Sequence, residues 1–245
     1  ITIYSGHSRT FKVNVQPDET NPNITVTSIN TSAVSVSWKL NSSDINEVTL
    51  NFNGAGTATV TITATDAGNY SGTTTTTFTI KQRDISEVFA DIAQITYTGE
   101  ELEPAVTITN THALIKASDY VIEYFNNINA GNDAYIVITG QNNYKGTKTV
   151  YFTIDKADFD MSGVTISNQS VTYDGNAHPL AINGTLPTGV SVSYENNDQV
   201  NVGIYTVTAV FTHSNPNYNP VPNKTATLTI TPRDISEITA TAPNV

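Results

Sequence analysis

The sequence predicts an all-β protein built of tandem modules, and three observations carry that prediction. Short runs of alternating apolar and polar residues recur along the whole chain, as half-buried strands require. No window of ten or more residues repeats its apolar positions at a 3.6-residue spacing, which an amphipathic helix would need. And one stretch is stated three times. Its clearest form runs from Gly131 through Asn143-Tyr144-Lys145-Gly146-Thr147 to Phe152-Thr153-Ile154. An earlier copy runs from Gly56 through Asn69-Tyr70-Ser71-Gly72-Thr73 to Phe78-Thr79-Ile80, and a later one from Gly203 through Asn217-Tyr218 to Leu228-Thr229-Ile230. The closing isoleucines lie 74 residues apart (80 to 154) and then 76 apart (154 to 230). An alternating run, an Asn-Tyr turn and a second alternating run ending in Thr-Ile make a β-hairpin that closes a module. A module repeated at one period is an array.

The period divides 245 residues into three modules of about 75. Domains this small bury only ~60% of their unfolded surface, so each core must be tidy. The chain has no cysteine, hence no disulfide staple, which points to the cytosol or to a bacterial exterior. Its net charge is −11 with only 11 basic residues, so it lacks the basic surface that nucleic acid or an anionic membrane would require. Charged residues are 13% of the chain; the polar surface is carried by Thr, Ser and Asn instead, and β-branched threonine suits the solvent face of a strand. No apolar run approaches the ~18–20 residues of a membrane-spanning helix, so no membrane insertion by this segment is expected. The chain opens at Ile1 within an apparent module and reads as a piece of something longer.

In the first module, residues 1–80, strands are expected at 1–4, 11–15, 24–29, 34–38 and 48–52, with a turn over 17–23 where Pro, Asp and Asn gather. Gly54-Ala55-Gly56 leads into the hairpin. The runs Ile24-Thr-Val-Thr-Ser28, Ala33-Val-Ser-Val36 and Gly54-Ala-Gly-Thr-Ala-Thr-Val-Thr-Ile62 resemble those of bacterial immunoglobulin-like group 2 domains. The second module, residues 81–154, is expected to place strands at 84–88, 94–97, 104–108 and 120–124, and at most one helical turn over 114–118. Tyr97, Val106, Ile108, Ile122, Tyr124, Ile136, Ile138, Phe152 and Ile154 alternate as its core. The third, residues 155–230, repeats the second: Val171-Thr-Tyr173-Asp-Gly175 answers Ile95-Thr-Tyr97-Thr-Gly99, and Tyr194-Glu-Asn-Asn197 answers Tyr124-Phe-Asn-Asn127. Arg233-Asp-Ile-Ser-Glu237 is identical to Arg83 through Glu87, so residues 231–245 read as the start of a fourth module. These Tyr-x-Gly and Tyr-x-Asn-Asn motifs are similar to the tyrosine- and glycine-rich β repeats of bacterial adhesin stalks, the MBG-type domains, over residues 84–230. A β-grasp fold is the alternative for surface repeats, but no stretch supplies the helix of roughly three turns that it packs on its sheet. Two small sheets face to face, immunoglobulin-like β-sandwich modules in tandem, are the expected architecture.

Residues that look chemical do not converge. Asp66-Ala-Gly-Asn-Tyr70 imitates the Asp-x-Gly-x-Tyr corner of immunoglobulin variable domains, without the cysteine that follows there. The tyrosine is read as a ring closing the core at a loop, as are Tyr144 and Tyr218. His7, His112, His178 and His213 are dispersed, and none has a histidine three to five residues away. Gly-x-Ser-x-Gly, His-Glu-x-x-His and P-loop motifs are absent, so no catalysis is expected. Acidic residues gather at the joints: Asp84, Glu87 and Asp91, then Asp155, Asp158 and Asp160, then Asp234 and Glu237. They are read as solvated linker charge, with calcium the one ion to consider, through Asp84, Glu87, Asp155 and Asp158; no cofactor is expected otherwise. Leu186-Pro-Thr-Gly189 lacks one residue of a sortase signal and reads as a loop. Lys156 and Asn223 are of the types that isopeptide bonds use, without a spacing that pairs them.

The expectation is a non-catalytic, monomeric stalk segment of a bacterial cell-adhesion protein, extracellular and attached to the cell wall or cell surface. Joints as short as Lys81-Gln82-Arg83 and Asp155-Lys156-Ala157 argue for an elongated rod. The rival is a binding module whose loops recognise a host glycan or protein; exposed aromatics clustered on one face would favour it.

Overall fold

The structure, a computed structural model, describes residues 2–13, 24–40, 46–64, 71–110, 115–236 and 239. Among these described residues the regular structure is all β apart from 3-10 turns at Ile85–Glu87 and Ala117–Asp119. By its contacts the chain divides into two compact units: Ile1–Gln94 with Glu103–Asn127 and Asn132–Thr153, and Ile95–Leu102 with Ile128–Gly131 and Ile154–Val245.

The first module lies in the first unit and is a two-layer sandwich. Its strands are β1 (Ile3–Tyr4), β2 (His7–Val13), β3 (Ile24–Ser28), β4 (Val34–Leu40), β5 (Asn46–Phe52), β6 (Gly56–Ala64) and β7 (Thr73–Lys81). One sheet runs β1-β7-β6-β3, the other β2-β5-β4. Alternation decides the facing: in β5, Val48, Leu50 and Phe52 turn inward while Glu47, Thr49 and Asn51 do not. They meet Ile24 and Val26 of β3, Ala58 and Val60 of β6 and Ile80 of β7 in one core drawn from both sheets. Each large apolar side chain so buried contributes roughly 1.5–3 kcal/mol. The outer face of β6 and β7 is a threonine ladder, with Thr59 facing Thr77 at 3.1 Å and Thr63 facing Thr73 at 3.2 Å.

The second module contributes β8 (Arg83–Asp84), β9 (Phe89–Ile92), β10 (Ile95–Thr96), β11 (Val106–Thr109), β12 (Tyr120–Phe125), β13 (Gly131–Gly140), β14 (Tyr144–Lys145) and β15 (Thr147–Asp155). The strand expected over 84–88 is instead a 3-10 turn, because the Asp84 carboxylate accepts the Ser86 N–H at 2.9 Å and closes the backbone locally. Of the helical turn expected over 114–118, residue 114 lies outside the described residues, 115–116 are not helical, and a 3-10 turn stands at Ala117–Asp119. Ile136, Ile138, Phe152 and Ile154 are buried as expected; Tyr97, Val106, Ile108, Ile122 and Tyr124 are half-buried.

In the second unit the third module forms β16 (Thr165–Ile166), β17 (Gln169–Thr172), β18 (Ile182–Asn183), β19 (Val190–Glu195), β20 (Gly203–His213) and β21 (Lys224–Thr231), with a sheet ordered β17-β21-β20-β19. Alternation again selects the core: Val207, Ala209 and Phe211 on β20, Ala226, Leu228 and Ile230 on β21.

The repeated motifs now have physical reasons. Asn126 and Asn196 both stand at φ 55, a left-handed turn that asparagine tolerates, and Gly99 and Gly175 at φ 95 and 85 turn the Tyr-x-Gly corner. Asn197 holds the backbone of Leu180 from both sides, accepting its N–H at 2.8 Å and donating to its carbonyl at 2.9 Å. Each module also pairs an early strand in parallel with its last: Ile3 pairs with Ile80, Ile95 with Ile154 and Val171 with Ile230.

Candidate functional site

What recurs most faithfully is a joint. In β6 and β20 the first residue, Gly56 or Gly203, pairs with the closing isoleucine, Ile80 or Ile230. The loops just before the hairpins, Gly54-Ala55, Asn129-Ala130 and Asn201-Val202, hold the same sequence position before a glycine, which stands at φ 140 in Gly56 and 145 in Gly131 but not in Gly203.

Within the first unit, Asn143 of the Asn-Tyr turn reaches the loop of the preceding module. Its Oδ1 accepts the Ala55 N–H at 2.8 Å, across 88 residues of chain. Its Nδ2 donates to the buried Asp119 carboxylate at 3.2 Å, so the amide can face only one way. Its carbonyl accepts the Arg83 N–H at 2.8 Å, tying down the linker. Gly54 completes the fit: a Cβ there would stand 2.8 Å from the Ser32 carbonyl oxygen. The Arg83 guanidinium, buried, lies 4.7 Å over the Tyr4 ring and 3.3 Å from His7 Nε2.

Within the second unit the same arrangement is built again. Asn217 Oδ1 accepts the Ala130 N–H at 2.9 Å, its Nδ2 donates to Asn129 Oδ1 at 3.0 Å, and its carbonyl accepts the Ala157 N–H at 3.0 Å. Tyr218 beside it meets Tyr97 edge-on at 5.6 Å and stacks on Phe159 at 4.0 Å. A second recurrent device supports each joint. Lys148 Nζ donates to the carbonyls of Ser86, at 3.0 Å, and Val88. Lys224 Nζ, 76 residues on (148 to 224), donates to those of Met161, at 3.0 Å, and Val164.

The sequence singled out the tyrosines of this turn: Tyr144 is buried with its hydroxyl accepting from Asn110 Nδ2 at 3.1 Å, Tyr218 is half-buried, and Tyr70 lies outside the described residues. It passed over the asparagines, whose partners sit 88 and 87 residues away. The one available signal was that all three copies read Asn-Tyr.

The acidic candidates take local roles. Asp84 caps Ser86, and Asp158 Oδ1 accepts Asn219 Nδ2 at 2.9 Å. Glu87 is exposed, and the Asp155 carbonyl accepts the Tyr97 N–H at 2.9 Å. Among the described residues no three His, Asp or Glu side chains gather as a metal site would require. Hydrogen bonds from the residue two along hold Asp84, Asp160, Asp174 and Asp234 below the ordinary aspartate value of 3.8. His178 Nε2 lies 3.0 Å from Asp174, and His213 Nε2 donates to the Asn219 carbonyl; His112, Asp66 and Glu237 lie outside the described residues. Lys156 and Asn223 share no bond among the described residues. Leu186 packs on the third module's core, and 188–189 form a turn.

Two further features of the first unit could meet a ligand. A groove of about 590 Å³ opens between the sheets of the first module, lined by Ile3, Tyr4, His7, Leu50, Phe52 and Phe78 among others. On the solvent side of β12, β13 and β15, Phe125 stacks on Tyr135 at 5.1 Å and Tyr135 leans on Tyr151 at 5.5 Å, with Tyr151 68% exposed.

No protein-family model and no curated protein matches the chain. Among solved structures it is similar to domains 5–6 of the S-layer protein SbsC, at 15% identity and a TM-score of 0.28 over 94% of this chain and 93% of that one. Domains 4–9 of the surface layer protein SbsC give 16% and 0.28 over 94% and 48%, and PcdhgB3 EC1-4 gives 12% and 0.27 over 96% and 74%. Likenesses this loose carry no argument about function, which rests on the chain's own residues. No helix among the described residues is long and apolar enough to cross a membrane.

Proposed function

We propose that this chain is a non-catalytic, monomeric stalk segment of a bacterial cell-surface adhesion protein, its tandem immunoglobulin-like modules spacing a distal binding domain from the cell wall. One observation supports this above the rest: the same side-chain amide, at Asn143 and at Asn217, ties an Asn-Tyr turn to the loop of the preceding module. Hydrogen bonds at a joint resist bending there, which a spacer needs and a free-standing binding domain does not. The linker lengths and the motif resemblance to adhesin stalk repeats point the same way. Three modules in line, each strand rising ~3.3 Å per residue over about ten residues, would extend on the order of 110 Å. A compact chain of this length would have a radius of gyration of about 18 Å. Small-angle scattering of the chain should give a clearly larger radius; a value near the compact one would overturn the stalk reading.

A second reading, recognition of a host glycan or protein, is favoured by the row Phe125, Tyr135 and Tyr151. Phe125 and Tyr135 lie 14° from parallel and spend one face on each other, as a cross-strand ladder does, which leaves Tyr151 as the ring best placed to meet a sugar. Tyrosine fluorescence titrated with oligosaccharides tests it; a saturable change abolished by Tyr151→Ala would promote this reading.

A further inference from the structure

We infer that the third module carries the receiving half of another such joint, and that it takes the Asn-Tyr turn of a further module of the same repeat. The inference rests on the stalk reading above. It starts from the residues that hold Asn217. In the second module these are the Ala130 N–H, the Asn129 side-chain oxygen and, for the neighbouring tyrosine, the ring of Tyr97. The third module supplies the counterpart of each. Asn201-Val202-Gly203 stands where Asn129-Ala130-Gly131 stands, before the hairpin strand whose first residue pairs with the closing isoleucine. Tyr173 stands where Tyr97 stands: the Tyr97 N–H donates to the Asp155 carbonyl and the Tyr173 N–H to the Thr231 carbonyl, both at 2.9 Å, one residue past the closing isoleucine.

The difference lies in what covers them. Ala55 and Ala130 are half-buried and their N–H groups are bonded to an asparagine side chain. Val202 is 48% exposed and Tyr173 38% exposed, and neither the Val202 N–H nor Asn201 Oδ1 has a hydrogen-bond partner among the described residues. The Asn201 backbone carbonyl is held by the Tyr205 hydroxyl at 2.9 Å, which fixes the loop in place. A donor, an acceptor and an aromatic face thus recur at the sequence positions that the preceding copy uses to seat Asn217 and Tyr218, on a loop two residues longer whose Gly203 does not adopt the φ of 145 found at Gly131. The chemistry is specific: the occupant must offer a side-chain amide, accepting at one end and donating at the other, with an aromatic ring next to it. A carboxylate would accept from Val202 but repel the Asn201 oxygen.

Amide hydrogen exchange on the full chain and on an extended chain tests this. The extension appends a second copy of residues 156–231 after Thr231, so that its asparagine equivalent to Asn217 follows Ile230 by the 63 residues that separate Asn217 from Ile154 (154 to 217). In the parent, Ala130 should be protected and Val202 should exchange freely. In the extended chain, Val202 protection should rise at least about tenfold, and replacing the appended asparagine by leucine should return it to the parent rate. An unchanged Val202 rate beside a protected Ala130 overturns this inference and leaves the stalk reading standing. Loss of Ala130 protection in the parent itself would instead remove the joint on which that reading depends. An appended module whose own strands stay unprotected also counts against the inference, because the same sequence folds behind the second module.

Discussion

Asn217 accepts the Ala130 N–H at 2.9 Å and donates to Asn129 Oδ1 at 3.0 Å, so a single amide makes two bonds to one loop of the preceding module, across 87 and 88 residues of chain. Asn143 makes the first of these bonds, to Ala55, and turns its donor to Asp119 of its own module. Removing such an amide leaves a backbone donor without its partner, which costs about 1–3 kcal/mol where the site is dry. Asn217→Ala should therefore destabilise the chain by that amount, and by more than Asn143→Ala, because Asn217 is buried and Asn143 only half so. Urea unfolding of both variants checks the order. Equal, negligible losses would show that the joints bear no load.

Tyr144 fills the core side of its corner with 1% of its surface exposed. Tyr144→Ala should cost ~3 kcal/mol or more, the loss expected for a large buried ring. Tyr144→Phe removes only the bond from Asn110 and should cost about 1 kcal/mol. A loss below about 1 kcal/mol for the alanine variant would mean that the ring is not seated in the core.

The hairpin strands and the identity of the core were legible in the sequence, because alternation at a period of two is written directly in Val48-Thr-Leu-Asn-Phe52 and in Ile136-Val-Ile138. The turn at 85–87 was not, since Asp84-Ile-Ser-Glu-Val alternates as a strand does; the competing signal is a side-chain bond from Asp84 to Ser86 that hydropathy does not weigh. Parallel pairing of an early strand with the last was hidden for a different reason. Ile95 and Ile154 are 59 residues apart (95 to 154), and nothing local in either strand names its neighbour. The asparagines of the joint share that difficulty.

The acid limb of the stability curve should be shaped by the four capped aspartates. Asp84, Asp174 and Asp234 are lowered chiefly by the backbone N–H two residues on, Asp160 chiefly by the Ser162 side chain. A group whose folded value is depressed stabilises the fold above its unfolded value of 3.8 and loses that contribution as the pH falls through the folded value. Melting temperature should thus hold down to about pH 4 and fall below it. Asp160→Asn, which keeps the turn without the charge, should shallow that fall; an identical acid limb in the variant would remove the assignment.

Calcium should leave the melting curve unchanged. The carboxylates of Asp84 and Asp158 already accept hydrogen bonds from Ser86 and Asn219, and no group of three ligating side chains forms among the described residues. A site that bound the ion in the folded state alone would raise the melting temperature by mass action. Curves recorded in chelator and in millimolar calcium should superimpose, and a rise of several degrees would reveal an ion that the joint acids hold.

Lys148 and Lys224 make the last case, because the same residue type does the same thing at the same offset in both repeats. Each ammonium is half-buried and spends two of its three donors on carbonyls of the opening turn, Ser86 and Val88 in one module, Met161 and Val164 in the other. Those carbonyls belong to residues between strands, with no ladder to satisfy them, so the lysine supplies what a neighbouring strand would have supplied. Methionine in its place keeps the length and packing of the stem and removes the charge and donors together. Hydrogen bonds from a charged donor are worth about 1.5–3 kcal/mol, so Lys224→Met should lower stability by that order. Lys224→Arg should recover part of it, since the charge is kept but the planar fork does not fit two converging carbonyls as a compact ammonium does. Thermal unfolding of the two variants reads the difference directly. A methionine variant as stable as the parent would show that water serves those carbonyls equally well and that the lysines are surface charge.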